Sequence, residues 1–533
     1  MTALIAGLAG LAGLPTWELQ LSPMVAIAVP LIGAFLIAMA DRWPNLREAT
    51  TLVTAIALLW VVGNLTNFLG SAPSEPEALA EVVPGMPLAF NLEPLGMIYA
   101  LIASSLWILN SIYSIGYMRG NNEKHQTRFY VCFALSIASV MGIAFAANMF
   151  TLFVFYEALS LATFPLVTHK GTPEALRSGR VYLGILMGTS VCLMLPAMIA
   201  TYVYTGTLDF TQGGVFAQPL AEGVLTPGLF GLIFAMYVYG VGKAALMPAH
   251  RWLPAAMVAP TPVSALLHAV AVVKAGVFSV VKISVYIIGV DQLRLYGQGG
   301  WLVYVAGASI VIASFIALFQ DNLKRRLAYS TISQLSYITL GAALLWPVSV
   351  KAAAMHIAAH AFGKITLFFA AGSIYTAAHK TKISELDGIG RKMPWTMGAF
   401  AVGTLSMIGL PPTGGFISKW FLMQGAWTAE NGFAIAVLCT STLLNAAYFL
   451  PIVYRAFLRA PPDEHAHDDE HDDEHAGEHA DGHDEHGDHH DHGEAPLPIV
   501  FALTCTAAAT VLLFFQPDLF AGYASMLAEA MPK

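Results

Sequence analysis

The chain has 533 residues, of which 56% are hydrophobic and only 11% charged, and its mean hydropathy is +0.63. That is far more apolar than a soluble domain, so a water-soluble fold is excluded and no nucleic-acid partner is expected. The formal net charge of −8 is misleading, because residues 463–494 carry 15 of the 34 acids and no lysine or arginine; the rest of the chain holds 26 basic against 19 acidic residues.

About 20 mostly apolar residues suffice to cross a bilayer as a helix. In chain order, fourteen predicted spans meet that need: 22–40, 50–70, 94–117, 128–147, 149–168, 179–205, 226–258, 262–288, 300–320, 326–346, 351–377, 394–427, 431–457 and 496–515. The expected fold is an all-α integral membrane protein. The N-terminal stretch is apolar without a basic n-region, so span 1 is expected to serve as the insertion signal rather than be cleaved. Cys132, Cys192, Cys439 and Cys505 fall inside spans without CxxC spacing, which predicts neither a disulfide framework nor a cluster site.

Basic residues are retained in cytoplasmic loops. With fourteen spans, 18 of the 26 lysines and arginines fall on one side and only Arg294, Lys351 and Lys533 on the other. This bias predicts both termini on the non-cytoplasmic side of a bacterial-type inner membrane.

Five lysines remain inside spans: Lys243, Lys274, Lys282, Lys364 and Lys419. Charge at the bilayer centre costs at least about 2.5 kcal/mol on insertion scales, so each calls for a partner, a wet cavity or a function. Lys282, near a span end, reads most simply as a snorkelling side chain. Among acids, only Glu157 sits well inside a span. Burial disfavours a carboxylate's charged form and a neighbouring ammonium favours it, so an acid–lysine pair at depth is suited to loading and releasing a proton. Histidines add further titratable groups at His250, His268, His356 and His360. His356, His360 and Lys364 follow at i, i+4 and i+8, one stripe of a helix.

Two spans carry matching interruptions. Pro248 and Pro254 follow Lys243 in span 7, and Pro411, Pro412, Gly414 and Gly415 precede Lys419 in span 12. Proline removes a backbone donor and clashes with the preceding turn, so both helices should be broken. Broken spans in corresponding positions predict two inverted five-helix repeats, spans 4–8 and 9–13, with a pathway at the breaks. The expected organisation is 1–127 (spans 1–3), 128–290 (first repeat), 291–460 (second repeat), 461–495 (a disordered loop rich in His, Asp and Glu) and 496–533 (span 14). The loop's ten histidines make it a candidate for weak metal binding through residues such as His465, His467, His471 and His475, without the fixed spacing of a structural site.

The strings HRWLPAAMVAPTPVSALLHAVAVVKAG, DNLKRRLAYSTISQLSYI, HIAAHAFGKITLFFAAG and GLPPTGGFISKW resemble the proton-conducting antiporter-like subunits of Mrp antiporters and of the membrane arm of complex I. The resemblance runs from about residue 95 to 455. It implies that Glu157 pairs with Lys243 and that protons pass by His268 and Lys274, then His356, His360 and Lys364, to Lys419. A lysine at position 419 and only 516–533 after span 14 make the chain most similar to the Mrp D-type subunit. The implied function is a proton-translocating subunit exchanging H+ for Na+ among other membrane subunits. The alternative is a proton-pumping subunit of a redox-driven complex. No Rossmann, Walker or cluster motif is present, so no cofactor is expected on this chain, and any redox enzymology would belong to partners.

Overall fold

The computed structural model describes residues 22–69, 76–461 and 493–531. The helices are α1 (Pro23–Met39), α2 (Pro44–Leu65), α3 (Pro94–Gly120), α4 (Gln126–Ala144), α5 (Met149–Val167), α6 (Pro173–Thr205), α7a (Pro227–Gly240), α7b (Trp252–Ala255), α8a (Thr261–Ala265) and α8b (Val272–Ile283). They continue with α9 (Gly300–Leu318), α10 (Leu323–Ala343), α11 (Pro347–Ala378), α12a (Pro394–Ile408), α12b (Gly414–Thr428), α13 (Gly432–Leu458), α14 (Leu497–Phe515) and α15 (Asp518–Glu529). Among the described residues, nine helices are individually long and apolar enough to cross a membrane, and the chain is a multi-pass membrane protein.

Local sequence explains the helix starts. Seven of these helices open on proline, whose fixed φ and missing N–H suit the first turn. Asn148, Thr172, Thr226, Asn322 and Asn431 accept first-turn backbone N–H groups of α5, α6, α7a, α10 and α13. Span 2 begins earlier than expected, at Pro44, which places Arg47 and Glu48 inside a helix. Both are buried, with Glu48 ion-paired to Arg119 at 2.5 Å.

The core is centred on α11, which packs against α3, α10, α12a, α12b, α14 and α15. It is buried from Ser349 to Ile374 apart from the half-buried Lys351. Large apolar side chains such as Phe35, Val203, Trp427 and Phe515 are exposed on the outside of the bundle, as a lipid-facing surface requires.

Three features were not foreseen. An antiparallel hairpin, β1 (Glu77–Val83) and β2 (Met86–Phe90), precedes α3. The amphipathic α15 buries Phe520, Ala524 and Leu527 against α11 and α3. π-helical turns occur at Ser190–Met194, Leu266–Val270 and Ser284–Ile288, the last two flanking α8b.

Both proline-rich interruptions are breaks. α7a stops at Gly240, and the chain makes a 3-10 turn over Gly242–Ala244, with Ala245 in the left-handed region at φ 53°. α12a stops at Gly409, φ +90°, and α12b resumes at Gly414.

Candidate proton pathway

The first break aims Lys243 at α5. Gly276 of α8b makes this possible, because a Cβ there would lie 2.2 Å from the backbone of Lys243 and Ala244. The fully buried Lys243 Nζ donates to the Tyr156 carbonyl and to Ser160 Oγ, each at 2.7 Å, and lies 3.2 Å from the centre of the Tyr156 ring. The Lys243 backbone N–H donates to the Tyr156 hydroxyl at 3.1 Å. Glu157 occupies the next position of α5. It interacts electrostatically with Lys243, but the two form no contact ion pair among the described residues, and both buried carboxylate oxygens lack a hydrogen-bond partner there.

At the centre, Lys274 Nζ of α8b bonds to His360 Nδ1 of α11. The His360 ring stacks at 6.1 Å on that of His356, one turn away. His356 bonds through Nδ1 to Ser418 Oγ of α12b at 2.9 Å and through Nε2 to Gln334 Oε1 of α10 at 3.0 Å. Gln334 Nε2 donates to the Met407 carbonyl at 3.4 Å. That same carbonyl accepts Lys419 Nζ at 2.6 Å, and Ile408 O accepts it at 3.2 Å. These carbonyls close α12a, so the second break supplies the acceptors for its own lysine. A polar chain therefore runs from Lys274 to Lys419 across α8b, α11, α10 and the two halves of α12, with all members buried except the half-buried Lys419.

Lys364 leaves the stripe. Its ammonium donates to Ser330 Oγ at 2.9 Å and to Leu327 O at 3.4 Å, on α10. Tyr448 of α13 donates to the same Ser330 hydroxyl at 3.0 Å, so Lys364 heads a hydroxyl branch beside the His360–His356 line.

The side chain of His268 lies outside the described residues, as do His465, His467, His471 and His475. His250 sits beyond the first break, 6.5 Å from the Tyr329 ring. Among the described residues no cluster of His, Cys, Asp or Glu has metal-ligand geometry.

Lys282 corrects the snorkelling expectation. It is fully buried and ion-paired at 2.5 Å with Glu93, the residue preceding α3, and it donates to Ala146 O at 2.7 Å. Glu157 is thus not the sole interior acid. Sequence reasoning also missed the neutral partners Ser160, Ser330, Gln334, Ser418 and Tyr448. Gln334, an amide inside a span rich in serine and threonine, was the one available signal.

The family model described as NADH:quinone oxidoreductase/Mrp antiporter, TM, matches residues 146–444. NADH-quinone oxidoreductase subunit N of Desulforudis audaxviator is 32% identical over 450 residues, covering 83% of this chain and 84% of that protein. Hydrogenase-4 component B of Escherichia coli K12 is 29% identical over 405 residues, and the match spans 59% of that longer protein. Among solved structures, the Mrp complex from Dietzia sp. contains a chain with TM-score 0.81, and the archaeal membrane-bound sulfane sulfur reductase one with 0.79. Each match covers 96% of this chain and 98% of the other, at 22% and 21% identity. The fold and the interior lysines and histidines are thus met in a chain that belongs to the NADH:quinone oxidoreductase/Mrp antiporter transmembrane family, as a membrane antiporter-like subunit of Mrp or complex I type.

Proposed function

We propose that this chain carries protons across the membrane as one subunit of a multi-subunit antiporter that exchanges H+ for Na+. The observation that carries the reading is the polar chain Lys274–His360–His356–Ser418/Gln334–Met407 O–Lys419. Each titratable member can accept a proton from one neighbour and pass it to the next, and imidazole does so near neutral pH. Glu157 and Lys243 form the loading pair of the first repeat, and Lys419 the corresponding group of the inverted second repeat. The basic-residue bias supports a topology with the loops rich in lysine and arginine in the cytoplasm and β1 and β2 on the opposite face. The partners are other membrane subunits, as in the complexes that hold its structural neighbours.

The test is His360→Ala, which cuts the chain beside Lys274 without removing a charge from a loop. Proton flux into vesicles, read with a pH-sensitive dye and normalised to assembled complex, should fall at least roughly tenfold. Wild-type flux would overturn the reading.

A second reading is favoured by the 32% likeness to an NADH-quinone oxidoreductase subunit: the same pathway would then be driven by electron transfer in partner subunits. A sodium pulse that collapses a preformed pH gradient supports exchange; a gradient raised only on adding an electron donor supports the redox-driven complex.

A further inference from the structure

Among the buried ionisable pairs that the proton chain leaves unused, Lys282–Glu93 has its lysine on a helix of that chain. Lys282 lies two turns beyond Lys274 on the same stripe of α8b, with Phe278 between them. Its ammonium is fully buried, whereas the Glu93 side chain retains 15% exposure, at the bundle face that carries β1 and β2. The pair therefore connects the interior of α8b with that face. Phe210 caps it, 4.3 Å from the ammonium to the ring centre. Lys282 is the titratable group that acts on Glu93, Glu93 in turn acts on Tyr286, and Ala146 O gives Lys282 a second acceptor at 2.7 Å.

As a source of stability such a pair is weak, since desolvating two charges offsets most of their attraction. Its position is more informative. Eight residues of helix separate Lys274 from Lys282, about 12 Å of rise. The gap holds Phe278 packed on Tyr99 of α3, ring centres 5.1 Å apart, and beside them the buried Ser279 hydroxyl, which has no partner among the described residues. π turns bound α8b on both sides, the second beginning two residues after Lys282. Turns of this kind mark functional sites often and allow a helix segment to shift register.

We propose that Lys282 and Glu93 form a proton-release site at the β1–β2 face, with the Tyr99–Phe278 pair as the gate separating it from Lys274. The inference rests on the proton-translocation reading above. In release, an Nζ–H bond of Lys282 breaks as an O–H bond forms on Glu93, leaving a neutral amine and a neutral acid. The acid gives its proton to water and returns to the carboxylate. Parting of Tyr99 and Phe278 then lets the amine take a proton passed from Lys274, restoring the ion pair.

The decisive variant is Lys282→Arg, which keeps the ion pair but replaces the ammonium with a guanidinium that does not deprotonate. Flux in reconstituted complex, normalised to assembled protein, is compared with wild type, His360→Ala and Glu93→Gln. Release through the pair predicts at least roughly tenfold lower flux in both Lys282→Arg and Glu93→Gln. Near-normal flux in Lys282→Arg, with His360→Ala still impaired, overturns this site and leaves the proton pathway standing. Failure of both Lys282→Arg and Glu93→Gln to assemble makes the pair structural and overturns it too. Wild-type flux in His360→Ala defeats the underlying pathway instead.

Discussion

An interior ammonium group needs hydrogen-bond acceptors, and each of the five lysines here finds a backbone carbonyl or a partner side chain. Tyr156 O, Leu327 O, Met407 O and Ala146 O take four of the ammonium groups, and His360 takes the fifth. These lysines were legible in the sequence because an interior charge is costly enough to stand out. Their acceptors were not, because a carbonyl belongs to every residue and a serine in an apolar helix is unremarkable. Glu93 escaped notice because it precedes α3 and so reads as a loop residue. Two outcomes follow at this scale. Ser160→Ala removes one of two acceptors from Lys243 and should lower proton flux several-fold while the complex still assembles; unchanged flux would show that Tyr156 O suffices. Lys419→Arg keeps the charge beside Met407 and Ile408 but cannot give up a proton at physiological pH, so vesicle flux should be lost at matched expression. Near-normal flux there would reduce Lys419 to an electrostatic support and turn attention to the Lys364 branch.

Breaks and turns set where those side chains point. The clustered prolines and glycines made both breaks readable from sequence, since proline removes a backbone donor and clashes with the preceding turn, although single prolines at Pro30, Pro165 and Pro451 are carried inside helices. The π turns and the β1–β2 hairpin were not readable, because neither changes the apolar content of a span. Gly276 is the element-level device that seats the first break: a Cβ at this position overlaps the Lys243–Ala244 backbone. Gly276→Ala should therefore displace Lys243 from Tyr156 and Ser160 and reduce both thermal stability and flux, whereas Gly184→Ala, with open space around it, should leave both unchanged. The acidic segment was drawn as 461–495, and Glu494 does not belong to a featureless loop. Its carboxylate accepts the Trp395 N–H at 2.6 Å and the Thr396 hydroxyl at 2.6 Å, capping the start of α12a. Glu494→Ala should cost about 1 kcal/mol, measurable as a lower unfolding temperature of the complex. Deleting residues 463–492 and keeping Glu494 should leave flux near wild type; loss of transport in an assembled deletion would give the histidine-rich segment a part in transport.

For the whole molecule, α11 joins the two sets of helices. It contacts Lys274 of α8b on one side and Ser418 of α12b and Gln334 of α10 on the other. Its near-complete burial keeps that line away from the bundle surface. The sequence-level picture of a membrane bundle with interior lysines and two breaks was sound because composition and proline content determine it. The resemblance implied an order from Lys274 to Lys419, but the contacts along it were not available from sequence, since they depend on which faces of α8b, α10, α11 and α12b meet. The measurement that bears most directly on this account is proton flux in reconstituted complex carrying Lys274→Met, which removes the first titratable group of the chain while keeping an apolar side chain of similar length. A drop of at least roughly tenfold at unchanged assembly is expected; flux equal to wild type would contradict passage through the Lys274–His360–His356–Lys419 line.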